Sequence, residues 1–310
     1  MYNSAKPYIS QVLKSIQDTW QSPQANVIYN GVQPIIQPRF GNRFVAHTDG
    51  IGTKGMFHWK QRTFRNAMLD ALAMNLNDLL LSRARPCFIL DHIILPEDDK
   101  KAVVEIVEEL TKECRFREII LAGGETSIQN NIDGMDISIS VVGYLKDEPR
   151  LNIFEPGDVL LGIKSDGIHS NGFTKIRELF PDSWNRKDFT KPTHFYTHQV
   201  ESVIGSIKAM AHITGGAFTK LKPMLEGDAI IHKTSLREPI FDEIYSKGVS
   251  DEEMYRTFNC GIGFIMGVAP EKVEFMVKSW FKNCEVIGEV VKGSGSVSIE
   301  SVFSDKTITL

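Results

Sequence analysis

The apolar positions of this chain change period several times, and each change predicts an element. Residues 43–48 alternate as a strand. From Phe64 to Leu81 the apolar residues at 64, 68, 69, 72, 76, 79 and 80 keep a helical period. "PCFILDHIIL" (86–95) is an apolar run of strand length interrupted by Asp91. In "KAVVEIVEELTKEC", Val103, Ile106, Val107 and Leu110 fall at i, i+3, i+4 and i+7, the stripe of an amphipathic helix. "EIILAGG" (118–124) reads as a strand running into a Gly-Gly turn, and "DISISVVGYL" (136–145) as a further strand. The first half is therefore strand–helix–strand–helix–strand–strand, which predicts an α+β layer arrangement.

Two prolines and mixed charge make "KDEPRLNIFEPGD" (146–158) a linker, dividing the chain into domains at 1–147 and 157–310. The second half opens on the strand "DVLLGI" and then predicts mainly helix to about residue 257. Ser250 and Glu253 stand at the spacing of a capping box. The strand "GIGFIMGV", a helix from Pro270 and strands near 284–291 and 296–302 complete the pattern. The first 38 residues are weakly patterned and predict no element.

Composition narrows the function classes. A formal net charge of −4 gives no electrostatic case for nucleic acid or an anionic membrane, so an anionic ligand must be held by local geometry. The four cysteines (Cys87, Cys114, Cys260 and Cys284) are far apart with no C-x-x-C, which argues against a disulfide framework or zinc site and fits a reducing compartment. The first residues lack the order of a signal peptide, and no apolar run approaches ~18 residues. A cytoplasmic protein is expected.

Candidate chemistry gathers where elements end. "HTDGIGTK" (47–54) follows the first strand with an acid, two glycines, a hydroxyl and a lysine; it is either a polar turn or a loop that holds phosphate and metal. Asp70 and Asn77 share a face of the 64–81 helix, with Asp78 adjacent. Asp91 interrupts an apolar strand, where a charge costs several kcal/mol unless paired, and Glu125 follows "LAGG". Each has an ordinary turn or helix role when taken singly. Together they suggest Mg²⁺ held by few carboxylates and nucleotide phosphates, with Lys54 suited to meet a phosphate as a point charge. In the second half, "SDGIHSNG" (165–172) and "AHITGG" (211–216) each precede a helical stretch. They are either capped helix starts or anion-binding loops. His169 and His212 are candidate proton carriers or structural histidines. "EEMYRTFNCGIGF" places Tyr255, Arg256 and Asn259 at a helix–strand junction.

"TDGIGTK", "LDALAMNLNDLL", "FILD", "LAGGET", "GDVLLGIKSDGIHSNGF", "AHITGG" and "EMYRTFNCGIG", in this order, resemble the aminoimidazole ribonucleotide synthetase (phosphoribosylformylglycinamidine cyclo-ligase) family over roughly residues 43 to 290. The resemblance implies a two-domain ATP-dependent synthetase. Its reaction is closure of formylglycinamidine ribonucleotide to aminoimidazole ribonucleotide in purine synthesis. It also implies ATP and Mg²⁺ as cofactors, and a homodimer joined through N-terminal sheets. By resemblance, Asp49, Asp78, Asp91 and Glu125 belong to the metal site. Gly50, Gly52, Thr53, Asn77, Gly123, Gly124 and Thr126 join them around ATP, and Lys54 faces the transferring phosphoryl group. Ser170, Asn171, Gly172, Thr214, Gly215 and Gly216 line the ribonucleotide region, with His169 and His212 as acid–base candidates. The chain departs from the family pattern at "QPIIQPRFGN", at "SIQNN" after "GGET", and at Ala217, Leu221 and Met224. Two other readings remain: another ATP-dependent small-molecule phosphotransferase or synthetase of the superfamily, or a nucleotide-binding paralogue without activity. A missing N-terminal Cys disfavours selenophosphate synthetase, and "EMYRTFN" with "HSNG" disfavours thiamine-phosphate kinase.

Overall fold

The computed structural model describes residues 9–29, 34–39, 44–148, 150–279 and 283–310, and the described chain forms two compact units. One comprises Met1–Pro149 with Trp184–Pro192, the other Arg150–Ser183 with Thr193–Leu310. Trp184–Pro192, which sequence pattern leaves inside the second domain, therefore packs within the first unit. Aromatic contact holds it there: the Phe57 ring lies 4.8 Å from Trp184 and 5.3 Å from Phe189 between centroids.

The first unit contains α1 (Ile9–Gln17), β1 (Ala25–Tyr29), β2 (Pro34–Pro38), β3 (Phe44–Gly50), α2 (Gly55–Gln61), α3 (Phe64–Leu81), β4 (Arg85–Leu95), α4 (Lys100–Phe116), β5 (Ile120–Ile128) and β6 (Asp136–Tyr144). β1 and β2 pair as a two-stranded ribbon, in a region the apolar pattern leaves without elements. The main sheet runs β3-β6-β4-β5, antiparallel except for β4–β5. A parallel pair needs a crossover, and α4 supplies it. α3 has the predicted bounds and is buried on most sides, Ala67, Met68, Ala71, Leu72 and Leu76 among the covered residues. A helix covered all round carries polar residues only where they find partners. The Gly-Gly of "LAGG" does not turn: β5 continues through it to Ile128, with Ala122 as an extra residue between Leu121 and Gly123 in the β4 register.

Asp99 caps α4, its Oδ1 accepting from Lys101 N (3.0 Å) and Ala102 N (3.1 Å). Asp99→Ala should lower unfolding free energy by about 1 kcal/mol in urea titrations. The Ala102 amide hydrogen bond leads in holding this carboxyl below its usual 3.8. The cap's contribution is thus complete above pH 3.8 and is lost as pH falls through the lower folded value.

The second unit contains β7 (Val159–Lys164), α5 (Phe173–Leu179), α6 (Thr197–Glu201), β8 (Ile207–His212), β9 (Asp228–Ile231), α7 (Pro239–Ser246), α8 (Asp251–Thr257), β10 (Ile262–Val268), α9 (Val273–Ser279), β11 (Cys284–Val291), β12 (Val297–Glu300) and β13 (Thr307–Thr309). Its sheet runs β13-β12-β9-β11-β7-β10-β8, with only β12–β9 parallel among these pairs. The mainly helical expectation between 164 and 257 is corrected by β8 and β9. "IKAMAH" is rich in helix formers, but pairing with the wholly buried β10 overrides that local propensity. Ser250 does cap α8, its Oγ accepting from Glu253 N at 3.3 Å, while the Glu253 carboxylate lies 2.7 Å from Lys175 Nζ.

Candidate functional site

In the first unit, helix α3 sets the loop after β3. Asn75 is fully buried. Its Nδ2 donates to the Asp49 carbonyl (3.0 Å) and to Ala71 O (2.8 Å), and its Oδ1 lies 3.0 Å from His47 Nδ1. The other His47 nitrogen, Nε2, is 3.4 Å from Asp78 Oδ2. With an acceptor at each ring nitrogen, the charged imidazolium is favoured, and the Asp78 hydrogen bond raises the His47 pKa despite partial burial. Asp49 therefore stands at a strand end fixed from behind, with its Oδ1 accepting from Gly50 N at 2.8 Å.

The glycines of this loop differ in purpose. A side chain on Gly50 would sit 2.9 Å from Ile137 O, and one on Gly55 would sit 1.9 Å from Met135 O, so both allow backbones to touch. Gly52 has φ +53° with open space around it, and it and Thr53 are accessible. The loop thus offers Gly52 and Thr53 outward.

Lys54, which the resemblance places facing a transferring phosphoryl group, turns inward here. It is fully buried, with Nζ 2.7 Å from Asp70 Oδ2, 2.9 Å from Asp70 Oδ1 and 2.6 Å from the Lys191 carbonyl. His58 completes the group: Nε2 donates to Asp70 Oδ2 at 2.9 Å, and Nδ1 accepts from Thr63 Oγ1 at 2.8 Å. Burial lowers the pKa of Lys54, partly offset by Asp70, and burial also keeps His58 neutral. For Asp70, burial pushes the carboxyl up, but Lys54 and His58 together hold it well below the usual range. Spacing shows that Lys54 follows a strand; it carries no sign of which way the side chain turns.

The acids do not converge as one centre. Asp49, Ile139, Asp91 and Gly124 stand in register across β3, β6, β4 and β5, so their side-chain positions share one face of the sheet. Glu125 is in register with His92 on the opposite face, its Oε1 accepting from Thr126 N at 2.9 Å. Strand alternation is the reason, and among the described residues no three of His, Cys, Asp and Glu are grouped to hold a metal ion. Asp91 is buried, and a side chain on Gly124 would meet its Oδ1 at 2.3 Å. This explains the second glycine of "LAGG": it makes room for the acid. Thr126 falls on the Asp91 face, with a buried hydroxyl that has no hydrogen-bond partner among the described residues. Gly123 has open space at its Cα, and Asn77 is buried within α3.

In the second unit the two predicted loops meet. A side chain on Gly215 would lie 3.0 Å from Asn171 Nδ2, and the Asn171 Oδ1 is buried without a partner among the described residues. Gly215 and Gly216 are exposed, and Ser170, Asn171 and Gly172 are half-exposed, so together they make an accessible cradle. Asn259, at the junction after α8, braces it from beneath: Nδ2 donates to Gly167 O (2.9 Å) and Ile168 O (3.3 Å), and Oδ1 accepts from Ser165 Oγ and Gly261 N. Thr193 Oγ1 lies 3.0 Å from Ser170 Oγ, and His194 Nδ1 lies 2.8 Å from Asp166 Oδ2. The Lys220 ammonium donates to the hydroxyl of Thr214, itself buried. Thr193, His194 and Lys220 carry no motif signal; only the fold brings them here.

His169 and His212 are brought together, 6.4 Å between ring centroids, but inside an aromatic group with Tyr196 and Phe264. Both are about 1% exposed and lie beneath the cradle. His169 Nε2 accepts from Asp166 N at 3.2 Å, which places its ring proton on Nδ1. The residue's φ of +63° bends the loop over the ring. A side chain on Gly263 would meet the Tyr196 hydroxyl at 1.9 Å, so the "GIG" of the strand start keeps this group closed.

Comparison with known proteins adds what geometry leaves open. Residues 30–145 match the domain family described as AIR synthase related protein, N-terminal domain, and residues 155–300 match its C-terminal domain. The chain is 33% identical over 258 residues to a phosphoribosylformylglycinamidine cyclo-ligase of Saccharolobus solfataricus, covering 80% of this chain and 79% of the relative. To the protein of that name from Sulfurisphaera tokodaii it is 36% identical over 274 residues, 83% of each. Among solved structures, the hydrogenase maturation protein HypE in complex with ATP superposes with a TM-score of 0.72 at 16% identity, over 99% of this chain and 95% of that one. A thiamine-monophosphate kinase from Stenotrophomonas maltophilia gives 0.69 at 15%, over 97% and 98%. At these identities the structural likeness shows the shared fold.

Proposed function

The chain belongs to the AIR synthase related family, and we infer that it is the cyclo-ligase itself, an ATP-dependent enzyme that closes formylglycinamidine ribonucleotide to aminoimidazole ribonucleotide in purine biosynthesis. The observation that carries this is identity of 33–36% to proteins of that name over 80–83% of the chain.

The chemistry suits an ATP enzyme. An amide oxygen is a poor leaving group. The formyl oxygen therefore attacks the γ-phosphorus of ATP, an O–P bond forms, and ADP leaves. The amidine-derived nitrogen then attacks the activated formyl carbon, the carbon–oxygen bond breaks, and phosphate departs with ring closure. Such transfer relies on positioning and charge neutralisation. The first unit is assigned to ATP. The outward Gly52–Thr53 segment beside Asp49, and the Thr126 hydroxyl on the Asp91 face, are the groups assigned to nucleotide phosphates and a hydrated cation. Asp49 and Asp91 on the same sheet face would hold Mg²⁺, with Asp78 keeping His47 charged behind Asp49. Mg²⁺ would neutralise charge on the transferring phosphoryl group. That HypE was crystallised with ATP on this fold supports the assignment. The cradle of the second unit is assigned to the ribonucleotide. The exposed Gly215–Gly216 turn allows close backbone approach, and Asn171 Oδ1 is an acceptor for a ribose hydroxyl or amide hydrogen.

The deciding experiment is purified protein with formylglycinamidine ribonucleotide, ATP and Mg²⁺, following ADP and the imidazole product together. One ADP per imidazole is expected, with turnover stopped by EDTA and restored by Mg²⁺. ADP without imidazole would move the reading to another synthetase or phosphotransferase of the superfamily. Binding of ATP with no turnover would leave a non-catalytic paralogue.

The enzyme is assigned as a homodimer through the face of the first sheet that is exposed among the described residues. On it Ala46, Thr48, Leu90 and His92 are exposed, Leu90 at 44%, and Ser140 Oγ donates to Thr48 Oγ1 at 3.0 Å. A one-sided sheet with an exposed Leu at its centre suits a symmetric partner. Sedimentation at micromolar concentration should report twice the 34.9 kDa chain mass, and Leu90→Glu should shift the protein to monomer. A Leu90→Glu protein that remains dimeric would remove this face from the interface. Among the described residues no helix is long and apolar enough to cross a membrane.

A further inference from the structure

Lys54 stands in the loop that faces nucleotide, yet its ammonium points away from solvent and toward the carbonyl of Lys191. The segment that ends there is held at several points by side chains of α2 and α3. Gln61 Nε2 donates to Trp184 O (2.7 Å) and Arg186 O (3.0 Å), and its Oε1 accepts from Thr190 Oγ1 (3.2 Å). Asn66 Nδ2 donates to Thr190 O at 2.9 Å, and the Lys60 ammonium lies 3.5 Å above the Trp184 ring. Phe189 is fully buried. This is a seated strap, and its last anchor is a buried cation.

Two residues beyond Lys191 the chain reaches Thr193, where it joins the second unit, and Thr193 Oγ1 is 3.0 Å from Ser170 Oγ of the "HSNG" loop. His194 then meets Asp166, and Tyr196 closes the group around His169 and His212. Three of the five residues after Lys191 (Thr193, His194 and Tyr196) thus contact the cradle or the group beneath it. Two residues span at most ~7 Å, so a shift at Lys191 passes to Thr193 with little slack.

We propose that Lys54 is a positioning residue: by holding the Lys191 carbonyl it sets the 184–196 strap, and through Thr193 it sets Ser170 and the ribonucleotide cradle. Asp70 and His58 act by keeping Lys54 in place. The covalent strap then ties the geometry of the "DGIGTK" loop to that of the ribonucleotide loop, so that disturbing the first loosens the second. The kinetic part rests on the cradle's assignment to the ribonucleotide. The structural part does not.

The test is amide hydrogen exchange of the substrate-free protein alongside steady-state kinetics, on Lys54→Met, Gln61→Ala and Thr193→Val. Gln61 is half-exposed and outside the site, so its variant keeps the question answerable if Lys54→Met fails to fold. Losing one hydrogen bond to a charged group corresponds to about a tenfold effect. Lys54→Met should therefore exchange at least tenfold faster over 184–196 and over 167–172, by more than in the rest of the second unit, and raise the ribonucleotide KM about tenfold while the ATP KM and kcat move little. Gln61→Ala should show the same pattern more weakly. Thr193→Val should raise the ribonucleotide KM with exchange over 184–191 unchanged. Wild-type exchange over 184–196 and 167–172 in both Lys54→Met and Gln61→Ala would overturn the proposal. So would a fall in kcat with both KM values intact, which would mark Lys54 as acting on the phosphoryl group. If no variant or wild-type protein turns over the ribonucleotide, the functional reading fails, and the exchange data still decide the link.

Discussion

Lys54→Met should destabilise the protein by about 3–5 kcal/mol, because it leaves Asp70 charged, fully buried and short of its main partner. For a unit of this size that corresponds to a fall in Tm of roughly 10 °C. Asp70→Leu alone should cost a similar amount, since it strands the Lys54 ammonium. The double variant Lys54→Met/Asp70→Leu should recover most of the loss, because an apolar pair of similar volume often matches a buried ion pair. The pH dependence has a definite sign. The Asp70 carboxyl is held below its usual 3.8 in the folded state, so its contribution is complete above that value and is lost as pH falls through the folded one. The gap between wild type and Asp70→Leu should be wide at neutral pH and narrow in acid. Urea titrations of the four proteins at two pH values measure all of this. Additive losses in the double variant would show that the two groups do not act as a pair.

Much of the fold was legible because it is local. α3 and α4 follow from apolar period, β4 from an apolar run of strand length, and the Ser250 cap from a two-residue signal. β8 and β9 were not legible, because their strand state is imposed by pairing with β10 and β11. The site divides in the same way. The "SDGIHSNG" and "AHITGG" loops read as glycine and hydroxyl motifs before helical stretches, and the structure sets Asn171 against Gly215. The direction of a side chain was not available from spacing. Lys54 points inward because Asp70, sixteen residues on, and Lys191, from a distant segment, meet it there. The four acids looked like one set along the chain, but Glu125 falls on the opposite sheet face from Asp91 because the β4–β5 register pairs it with His92. The two histidines carry the same lesson: their loops reach the surface, while their rings lie about 1% exposed.

Gly172→Ala should be a strongly damaging single methyl addition in the second unit, for two separable reasons. Gly172 has φ +79°, a left-handed conformation that costs an L-residue about 1–2 kcal/mol. An added Cβ would also sit 2.4 Å from Phe258 Cε1, and Phe258 is fully buried with no room to withdraw. Overpacking of that kind costs about 1–3 kcal/mol. The expected total is a loss of about 2–5 kcal/mol. The contact also explains why "HSNG" and "RTFN" occur in one protein: the glycine of the first accepts the ring of the second, and Asn259 next to that ring holds the loop from below. Because the loop must move to relieve the clash, the ribonucleotide KM should rise at least tenfold on the assigned site, with the ATP KM little changed. Adding Phe258→Leu should restore the overpacking share of stability and part of the KM, while the left-handed strain persists. Thermal unfolding and initial rates for Gly172→Ala, Phe258→Leu and the double variant separate the two shares. A Gly172→Ala protein with wild-type Tm and KM would mean that the loop tolerates the displacement, and that Phe258 does not set the cradle.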